Sequence, residues 1–261
     1  MTKIRSVIFI VVVLLSLSPV IYGAKSNGDF YQIKIYHLKN NEQIKLVDQY
    51  LEKVYLPALH RLNIKSIGVF KPIANDTSSM KSIYVLIPFM SPEAWMTLEE
   101  NLSKDKIYVA SAKSFREAPS DNAPYDKMES ILLTAFPIQM HLFLPGDKNA
   151  ERVFELRSYE SPTESLAEKK MSMFNTGGEV GIFKRLGFNP VFYGKVVSGT
   201  RMPNFMYMPV FDNIAQKDAQ WNIFRNDPKW KEISSDPKYE NKVSVSHIES
   251  ISMHSTSYSD Y

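Results

Sequence analysis

The feature that most constrains the fold is an internal repeat, because a strand-like segment near the start of the chain recurs near its middle. Residues 30–38 read FYQIKIYHL and residues 153–161 read VFELRSYES. Apolar and polar side chains alternate in both segments, as they do in a strand whose two faces meet different surroundings. The alignment pairs Tyr31 with Phe154, Gln32 with Glu155, Ile33 with Leu156, Lys34 with Arg157, and Tyr36 with Tyr159.

The correspondence continues beyond these strands. Residues 41–62 and 162–186 carry apolar side chains at helical spacing, and each stretch is interrupted, the first by Pro57 and the second by Gly177 and Gly178. Proline removes a helical hydrogen bond and glycine weakens a helical turn, so each stretch is predicted to form two helical pieces. Three further pairs of strands are predicted, at residues 67–73 and 191–197, 81–89 and 204–212, and 128–136 and 246–253.

Each copy therefore has the order β-α-β-β-α-β, which is the ferredoxin-like pattern. Helices cover one face of such a sheet and leave the other bare, so two units can bury their bare faces against each other. We predict an α+β fold in which two tandem ferredoxin-like units, residues 30–140 and 150–258, pack as a pseudo-two-fold barrel. The turn-rich sequence LPGDKN lies in the predicted linker.

Residues 1–24 have the three-part pattern of a secretory signal peptide. Lys3 and Arg5 precede an apolar run, residues 8–17, and small residues end the segment at Ala24. The run is shorter than the ~20 residues that a membrane-spanning helix needs, although an uncleaved anchor is the alternative. The sequence predicts a secreted or periplasmic protein.

Charge and composition exclude several classes of partner. The chain has 31 basic and 28 acidic residues, and loss of Lys3 and Arg5 with the leader would leave 29 basic against 28 acidic. No basic stripe interleaved with aromatic residues is present, so nucleic-acid binding is not expected. No polybasic or amphipathic segment predicts membrane attachment after leader removal. The chain has no cysteine, which excludes disulfides and thiolate nucleophiles.

Motifs for common cofactors are also missing from the sequence. There is no GxSxG, no phosphate-binding glycine loop and no dinucleotide fingerprint. The five histidines are scattered and form no HxH or HExxH pair, so neither a metal site nor a cofactor is predicted. A haem ligand among them is the alternative. They are His37, His60, His141, His247 and His254.

The second copy resembles the NIPSNAP family. The resemblance covers about residues 152–261, and the joint occurrence of GE..IF...G..PVFYG and MPN..YM is its specific part. The first copy keeps the strand pattern but lacks these signatures. The stretches that carry the resemblance are ELRSY (155–159), MFNTGGEVGIFKRLGFNPVFYG (171–194), SGTRMPNFMYMPVFD (198–212), WNIFRNDPKW (221–230) and SYSDY (257–261).

The resemblance implies a dimeric α/β barrel, here as an exported bacterial-type tandem member. Animal members of the family are mitochondrial and are linked to vesicle transport and protein binding. Those roles are not carried over, because this leader is not an Arg-rich transit peptide. Fold relatives include cofactor-independent monooxygenases and haem-binding enzymes, so whether the chain is an enzyme stays open and no catalytic residue is assigned.

The alternation of side chains along the predicted strands indicates the main candidate site. Glu155, Arg157 and Tyr159 share one face of their strand, and Lys34 and Tyr36 repeat the cation and the tyrosine in the first copy. If this face lines the barrel, these residues would surround a cavity on the pseudo-two-fold axis that suits an anionic or aromatic ligand. The alternative is that they face solvent or pair across strands.

Three further residues are candidates for the same cavity. Tyr193 and Tyr207 could contribute phenolic hydroxyls, or could be ordinary aromatic core. Glu179 follows two glycines at the start of a helical piece, where the helix dipole favours a carboxylate, and a general base is the alternative. Trp221 and Trp230 are predicted to be core residues.

These observations predict an exported barrel that binds a small molecule or a protein partner. The alternative is an enzyme of monooxygenase or isomerase type that acts on an aromatic or anionic substrate. A third reading is a pure interaction module, with a filled barrel and with sheet edges or the SYSDY tail used for assembly. The chain is expected to be a monomer that contains an internal pseudo-dimer, and further oligomerisation stays open.

Overall fold

The structure is a computed structural model that describes residues 28–75 and 77–261. The predicted leader, residues 1–24, lies outside the described residues. Within the described ranges, no helix combines the length and the apolar character needed to cross a membrane.

Each half of the described chain contains four strands, with helices after the first and the third of them. The strands are β1 (Phe30–Leu38), β2 (Gly68–Pro72), β3 (Lys81–Phe89), β4 (Lys127–Ala135), β5 (Val153–Glu160), β6 (Asn189–Ser198), β7 (Asn204–Phe211) and β8 (His247–Ser255). The helices are α1 (Asn41–Tyr50), α2 (Leu56–Arg61), α3 (Pro92–Met96), α4 (Leu98–Lys104), α5 (Lys106–Arg116), α6 (Glu164–Asn175), α7 (Glu179–Arg185), α8 (Ile214–Asn226), α9 (Pro228–Ser234) and α10 (Asn241–Ser244). Short helical turns also occur at Leu51–Tyr55 and Ser120–Asn122.

The described strands close into one antiparallel barrel. The N-terminal half (residues 28–140) contributes the order β4-β1-β3-β2, and the C-terminal half (residues 150–261) contributes β8-β5-β7-β6. Two seams join the halves, with β2 paired to β8 and β4 paired to β6. This confirms the predicted α+β class and the barrel of ferredoxin-like strand order.

Apolar side chains from both halves fill the barrel interior. Tyr31 and Ile33 of β1 and Phe154 and Leu156 of β5 belong to a single buried cluster. Closure of the barrel buries these side chains against the opposite half, so the apolar set of β1 and of β5 points inward. The polar set of β1 and β5 points outward, beneath the helices.

The predicted helix interruptions are present in both halves. In the N-terminal half the Leu51–Tyr55 turn is π-helical and separates α1 from α2, and it lies just before Pro57. In the C-terminal half Gly178 separates α6 from α7 with a φ of 98°. Only glycine adopts that conformation without strain, so the chain can turn sharply there. The turn places Glu179 at the first position of α7.

The C-terminal tail packs against the N-terminal half. The Tyr258 hydroxyl donates a hydrogen bond of 2.6 Å to Asp48 Oδ1. Tyr261 is 3% exposed, and its ring centroid lies 5.6 Å from that of Phe70 and 5.9 Å from that of Phe154. The two tyrosines of the tail therefore pack against the barrel of their own chain.

Candidate functional site

A cavity of about 440 Å³ lies between the sheet and the helices of the C-terminal half. We call it the C-terminal cavity. Its walls come from β5, β7 and β8 on the sheet side and from α6 to α10 on the helix side. Its volume falls within the range of small-molecule sites, about 300–1,000 Å³.

Glu155 organises the sheet side of the C-terminal cavity. Its Oε1 accepts a hydrogen bond of 2.6 Å from Arg157 Nη1 and another from Ser250 Oγ. Its Oε2 accepts one of 2.5 Å from Trp221 Nε1. Both carboxyl oxygens of this buried residue are therefore occupied, as burial of a polar group requires. The pattern follows from alternation, because Glu155 and Arg157 are two positions apart and share a face.

The Arg157 guanidinium is held in a fixed orientation. In addition to Glu155, its Nη2 donates a hydrogen bond of 3.1 Å to the Tyr159 hydroxyl. The guanidinium carbon lies 4.6 Å from the centroid of the Trp221 ring, within the range of a cation–π contact. Arg157 Nε is buried and has no hydrogen-bond partner among the described residues. One donor of the arginine thus remains unused beside the cavity.

Lys170 places a buried ammonium on the opposite wall. The residue is 1% exposed, and its Nζ lies 3.1 Å from the sulfur of Met173 and 5.9 Å from the ring centroid of Tyr159. No carboxylate oxygen of the described residues lies within ion-pair distance of it. Burial lowers the pKa of Lys170, and the charge of Glu179 opposes that effect.

Glu179 is a buried carboxyl group on the same side. Burial raises the pKa of Glu179 to about 7, against the opposing charges of Lys170 and Arg157. Its Oε2 has no hydrogen-bond partner among the described residues. Desolvation of this buried carboxylate is the largest of the effects on its pKa.

Aromatic rings and further cations complete the walls. Tyr207, Trp221 and Trp230 supply apolar surface, and the hydroxyls of Tyr159 and Tyr207 lie 3.4 Å apart. Lys217, Asp218 and Arg225 also line the cavity, and Lys217 Nζ lies 3.5 Å from Asp218 Oδ1. The lining therefore contains more cations than carboxylates, a fixed guanidinium and a carboxyl group that can change its protonation near neutral pH.

No metal centre is found in the part of the chain that the structure describes, since no three His, Asp or Glu side chains there are placed to hold an ion. The lining of the C-terminal cavity contains no histidine. Three histidines instead bond to carboxylates outside this cavity, His37 to Glu129, His60 to Asp260 and His141 to Asp29.

Comparison with known protein families gives a match in the C-terminal half of the chain. A family model described as NIPSNAP matches residues 154–260. Residues 154–260 are a NIPSNAP domain. The resemblance read from the sequence is confirmed over this range, and the C-terminal cavity lies within the NIPSNAP domain. No curated protein sequence matches the chain.

Solved structures with the same fold cover most of the chain. A candidate monooxygenase from Fusobacterium nucleatum is 7% identical with a TM-score of 0.56, over 87% of this chain and 92% of that one. A candidate monooxygenase from Lactobacillus acidophilus is 13% identical with a TM-score of 0.54, over 87% and 94%. An anthrone oxidase-like protein is 10% identical with a TM-score of 0.53, over 88% and 92%. At such low identity these similarities show the dimeric α/β-barrel fold alone.

The predicted site residues do not meet on the pseudo-two-fold axis. The axis passes through the barrel interior, which apolar side chains fill, so the polar faces of β1 and β5 lie on opposite outer sides of the barrel. The structure brings together five predicted residues in the cavity of the NIPSNAP domain. They are Glu155, Arg157, Tyr159, Glu179 and Tyr207.

The other three predicted residues lie elsewhere. Lys34 and Tyr36 lie beneath the helices of the N-terminal half, where Lys34 lines a separate cavity. Tyr193 is fully buried and stacks on Tyr207 with ring centroids 5.6 Å apart. It lines a different cavity, beside α7, that includes Phe143 and Pro190. Tyr193 is therefore an aromatic core residue at the edge of the site.

Sequence reasoning missed two residues that shape the cavity of the NIPSNAP domain. Lys170 shares a face of α6 with Ala167 and Phe174, and a lysine within such an apolar stripe is a signal that could have been used. Trp221 was correctly predicted to be core, yet it also holds Glu155 and lies against Arg157. No sequence signal joins Trp221 to β5, because the contact depends on the packing of α8.

Proposed function

We propose that the C-terminal cavity binds a small anionic molecule that carries an aromatic or other flat apolar part. The observation that carries this proposal is Lys170, a buried ammonium with no carboxylate of the described residues within ion-pair distance. Burial of an unpaired charge is costly, so an anion that enters the cavity would be strongly favoured. Arg157 offers a second, oriented cation, and Trp221 and Trp230 offer flat apolar walls.

Native mass spectrometry of the purified full chain tests this proposal. A small molecule should be retained by the natural protein and lost from Lys170→Met, which keeps the volume of the side chain and removes its charge. The matched control is Lys169→Met, since Lys169 is the exposed neighbour on the same helix. The proposal fails if Lys170→Met keeps the bound molecule as fully as Lys169→Met does.

A second candidate function is an enzyme in which Glu179 acts as a general base. A pKa of about 7 and an oxygen without a partner, both inside the cavity, favour it over a purely binding role. The carboxylate would take a proton from an activated C–H of the ligand, as a cofactor-independent monooxygenase or an isomerase requires. Structures with the same fold include an anthrone oxidase-like protein and two candidate monooxygenases, so anthrone is a suitable first probe.

Oxygen uptake with anthrone as the probe tests the enzymatic candidate. The natural chain should consume oxygen, and Glu179→Gln should abolish the uptake while anthrone still quenches tryptophan fluorescence. Oxygen uptake that persists in Glu179→Gln would exclude Glu179 as the base.

Export remains a proposal that rests on the sequence pattern of residues 1–24. Expression in a bacterial host should release a protein whose intact mass corresponds to a start near Ala24 or Lys25. Retention of the full-length mass in the membrane fraction would favour the uncleaved anchor.

A further inference from the structure

The N-terminal half has its own cavity at the position that corresponds to the C-terminal cavity. It has a volume of about 440 Å³, lies between the sheet and helices α3 and α4, and we call it the N-terminal cavity. Gln32 and Lys34 line it at the positions that Glu155 and Arg157 occupy in the other half. Gln32 Nε2 donates a hydrogen bond of 2.8 Å to Ser130 Oγ, so the amide is engaged with the neighbouring strand.

Gln32 stands where the other half has the carboxylate of Glu155, so the amine of Lys34 has no carboxylate partner on its own strand. Lys34 is 9% exposed, and no hydrogen bond or ion pair joins its side chain to another described residue. Its Nζ lies 4.8 Å from the ring centroid of Tyr55 and 5.8 Å from that of Tyr36. The amine is therefore enclosed by aromatic rings at the wall of a cavity that a small molecule can enter.

Two charged groups face Lys34 from the helices. Glu99 of α4 lines the N-terminal cavity, and Arg116 of α5 lies 3.6 Å from the Glu99 carboxylate, so Glu99 already has a cation beside it. Burial lowers the pKa of the Lys34 ammonium to about 8, and the Glu99 carboxylate offsets only part of that effect. Desolvation is one of the ways in which proteins activate a lysine as a nucleophile.

We propose that Lys34 is a carbonyl-capture site, at which the amine forms an imine with a small aromatic aldehyde that enters the N-terminal cavity. The neutral Nζ attacks the carbonyl carbon, a C–N bond forms and the carbonyl oxygen takes up a proton. The resulting carbinolamine loses water, in which the former carbonyl oxygen leaves with hydrogen from the nitrogen, and a C=N bond remains. No oxidant or reductant is consumed. The ring of the aldehyde would lie against Tyr55 and Trp95.

This site lies in the N-terminal half and does not depend on the function proposed for the C-terminal cavity. The test uses the full chain with benzaldehyde at pH 7.5, followed by sodium cyanoborohydride to reduce the imine and by peptide mapping with mass spectrometry. Lys34 should carry about tenfold more benzyl label than the exposed Lys45, because burial lowers the pKa of Lys34 and raises the fraction of its own amine that is neutral at pH 7.5. In unfolded protein the two lysines should be labelled equally.

Variants supply the matched controls. Lys34→Arg keeps the positive charge and should lose the label at this position, whereas Lys45→Arg should leave the labelling of Lys34 unchanged. The comparison of Lys34 with Lys45 within the natural protein decides the question even if Lys34→Arg fails to fold. Equal labelling of the two lysines in the folded chain, or preferential labelling of Lys170, would overturn the proposal.

Discussion

Glu155 shows how one residue changes the character of a site. Its two oxygens accept hydrogen bonds from β5, β8 and α8, through Arg157, Ser250 and Trp221. The corresponding Gln32 of the N-terminal half bonds only to Ser130. The carboxylate of Glu155 therefore fixes the guanidinium of Arg157 in the C-terminal cavity. The amide of Gln32 makes no such bond to Lys34 in the N-terminal cavity. This difference could be predicted from the aligned sequences, because both polar pairs occupy the same strand positions.

The first prediction concerns the ion pair of Glu155 and Arg157. Arg157→Met should destabilise the chain by about 2–4 kcal/mol, because it leaves a buried carboxylate without its cation. Adding Glu155→Gln should recover part of the loss, since a neutral amide at this position is what the N-terminal half carries. Urea denaturation of the single and double variants measures both effects. If the double variant is less stable than Arg157→Met, the carboxylate was not the source of the cost.

The second prediction concerns Glu179 and pH. Its pKa is about 7 in the folded chain and 4.5 in an unfolded one, so the folded state binds more protons between these values. Stability from this group is therefore lost as pH rises from about 4.5 to 7, by an amount on the order of 3 kcal/mol. The Glu179→Gln variant should not show this loss of stability. Its stability relative to the natural chain should increase between pH 5 and pH 8 in urea titrations, and a constant difference would contradict the assignment.

At the scale of elements, the strands and the helix interruptions were predictable, but the orientation of the strands was not. The alternation in β1 and β5 gives two faces, and both are largely buried, one in the barrel interior and one beneath the helices. Hydrophobicity cannot choose between two buried faces. The site was therefore expected on the wrong side of the sheet, although the residues that share a face were correctly grouped. Lys170 was missed because it belongs to a helix.

The third prediction concerns the break between α6 and α7. Gly178→Ala should destabilise the chain by about 1–2 kcal/mol, because an L-residue is strained at a φ of 98°. Gly181→Ala is the matched control, since Gly181 lies within α7 with open space around it and should gain up to about 1 kcal/mol in helix propensity. Thermal unfolding of both variants checks the signs. Equal effects would show that Gly178 is not needed for the turn.

At the scale of the whole molecule, each half depends on the other to cover its inner sheet face. Phe154 of one half and Phe70 of the other have ring centroids 4.8 Å apart, and the seams β2–β8 and β4–β6 pair strands that would otherwise be edges. The barrel could be predicted from the strand order of the two halves. The placement of the tail could not, because Tyr261 inserts between the halves without any periodic pattern to indicate it.

The fourth prediction concerns the isolated C-terminal half. Residues 150–261 expressed alone should form a homodimer, because the exposed inner face and the two free strand edges can pair with a second copy. The full chain should be monomeric, since its barrel is already closed. Light scattering after size-exclusion chromatography distinguishes the two. A folded, monomeric C-terminal half would contradict the dependence of one half on the other.

The central claim is that a small anionic ligand binds between the sheet and the helices of the NIPSNAP domain. The most direct measurement is a crystal structure of the full chain carrying the molecule that it retains in native mass spectrometry. We expect density for that molecule in the C-terminal cavity, in contact with Lys170 and Arg157 and against the Trp221 ring, with the barrel interior filled by side chains. Density for it in the barrel interior, or on the outer surface with the C-terminal cavity empty, would contradict the claim.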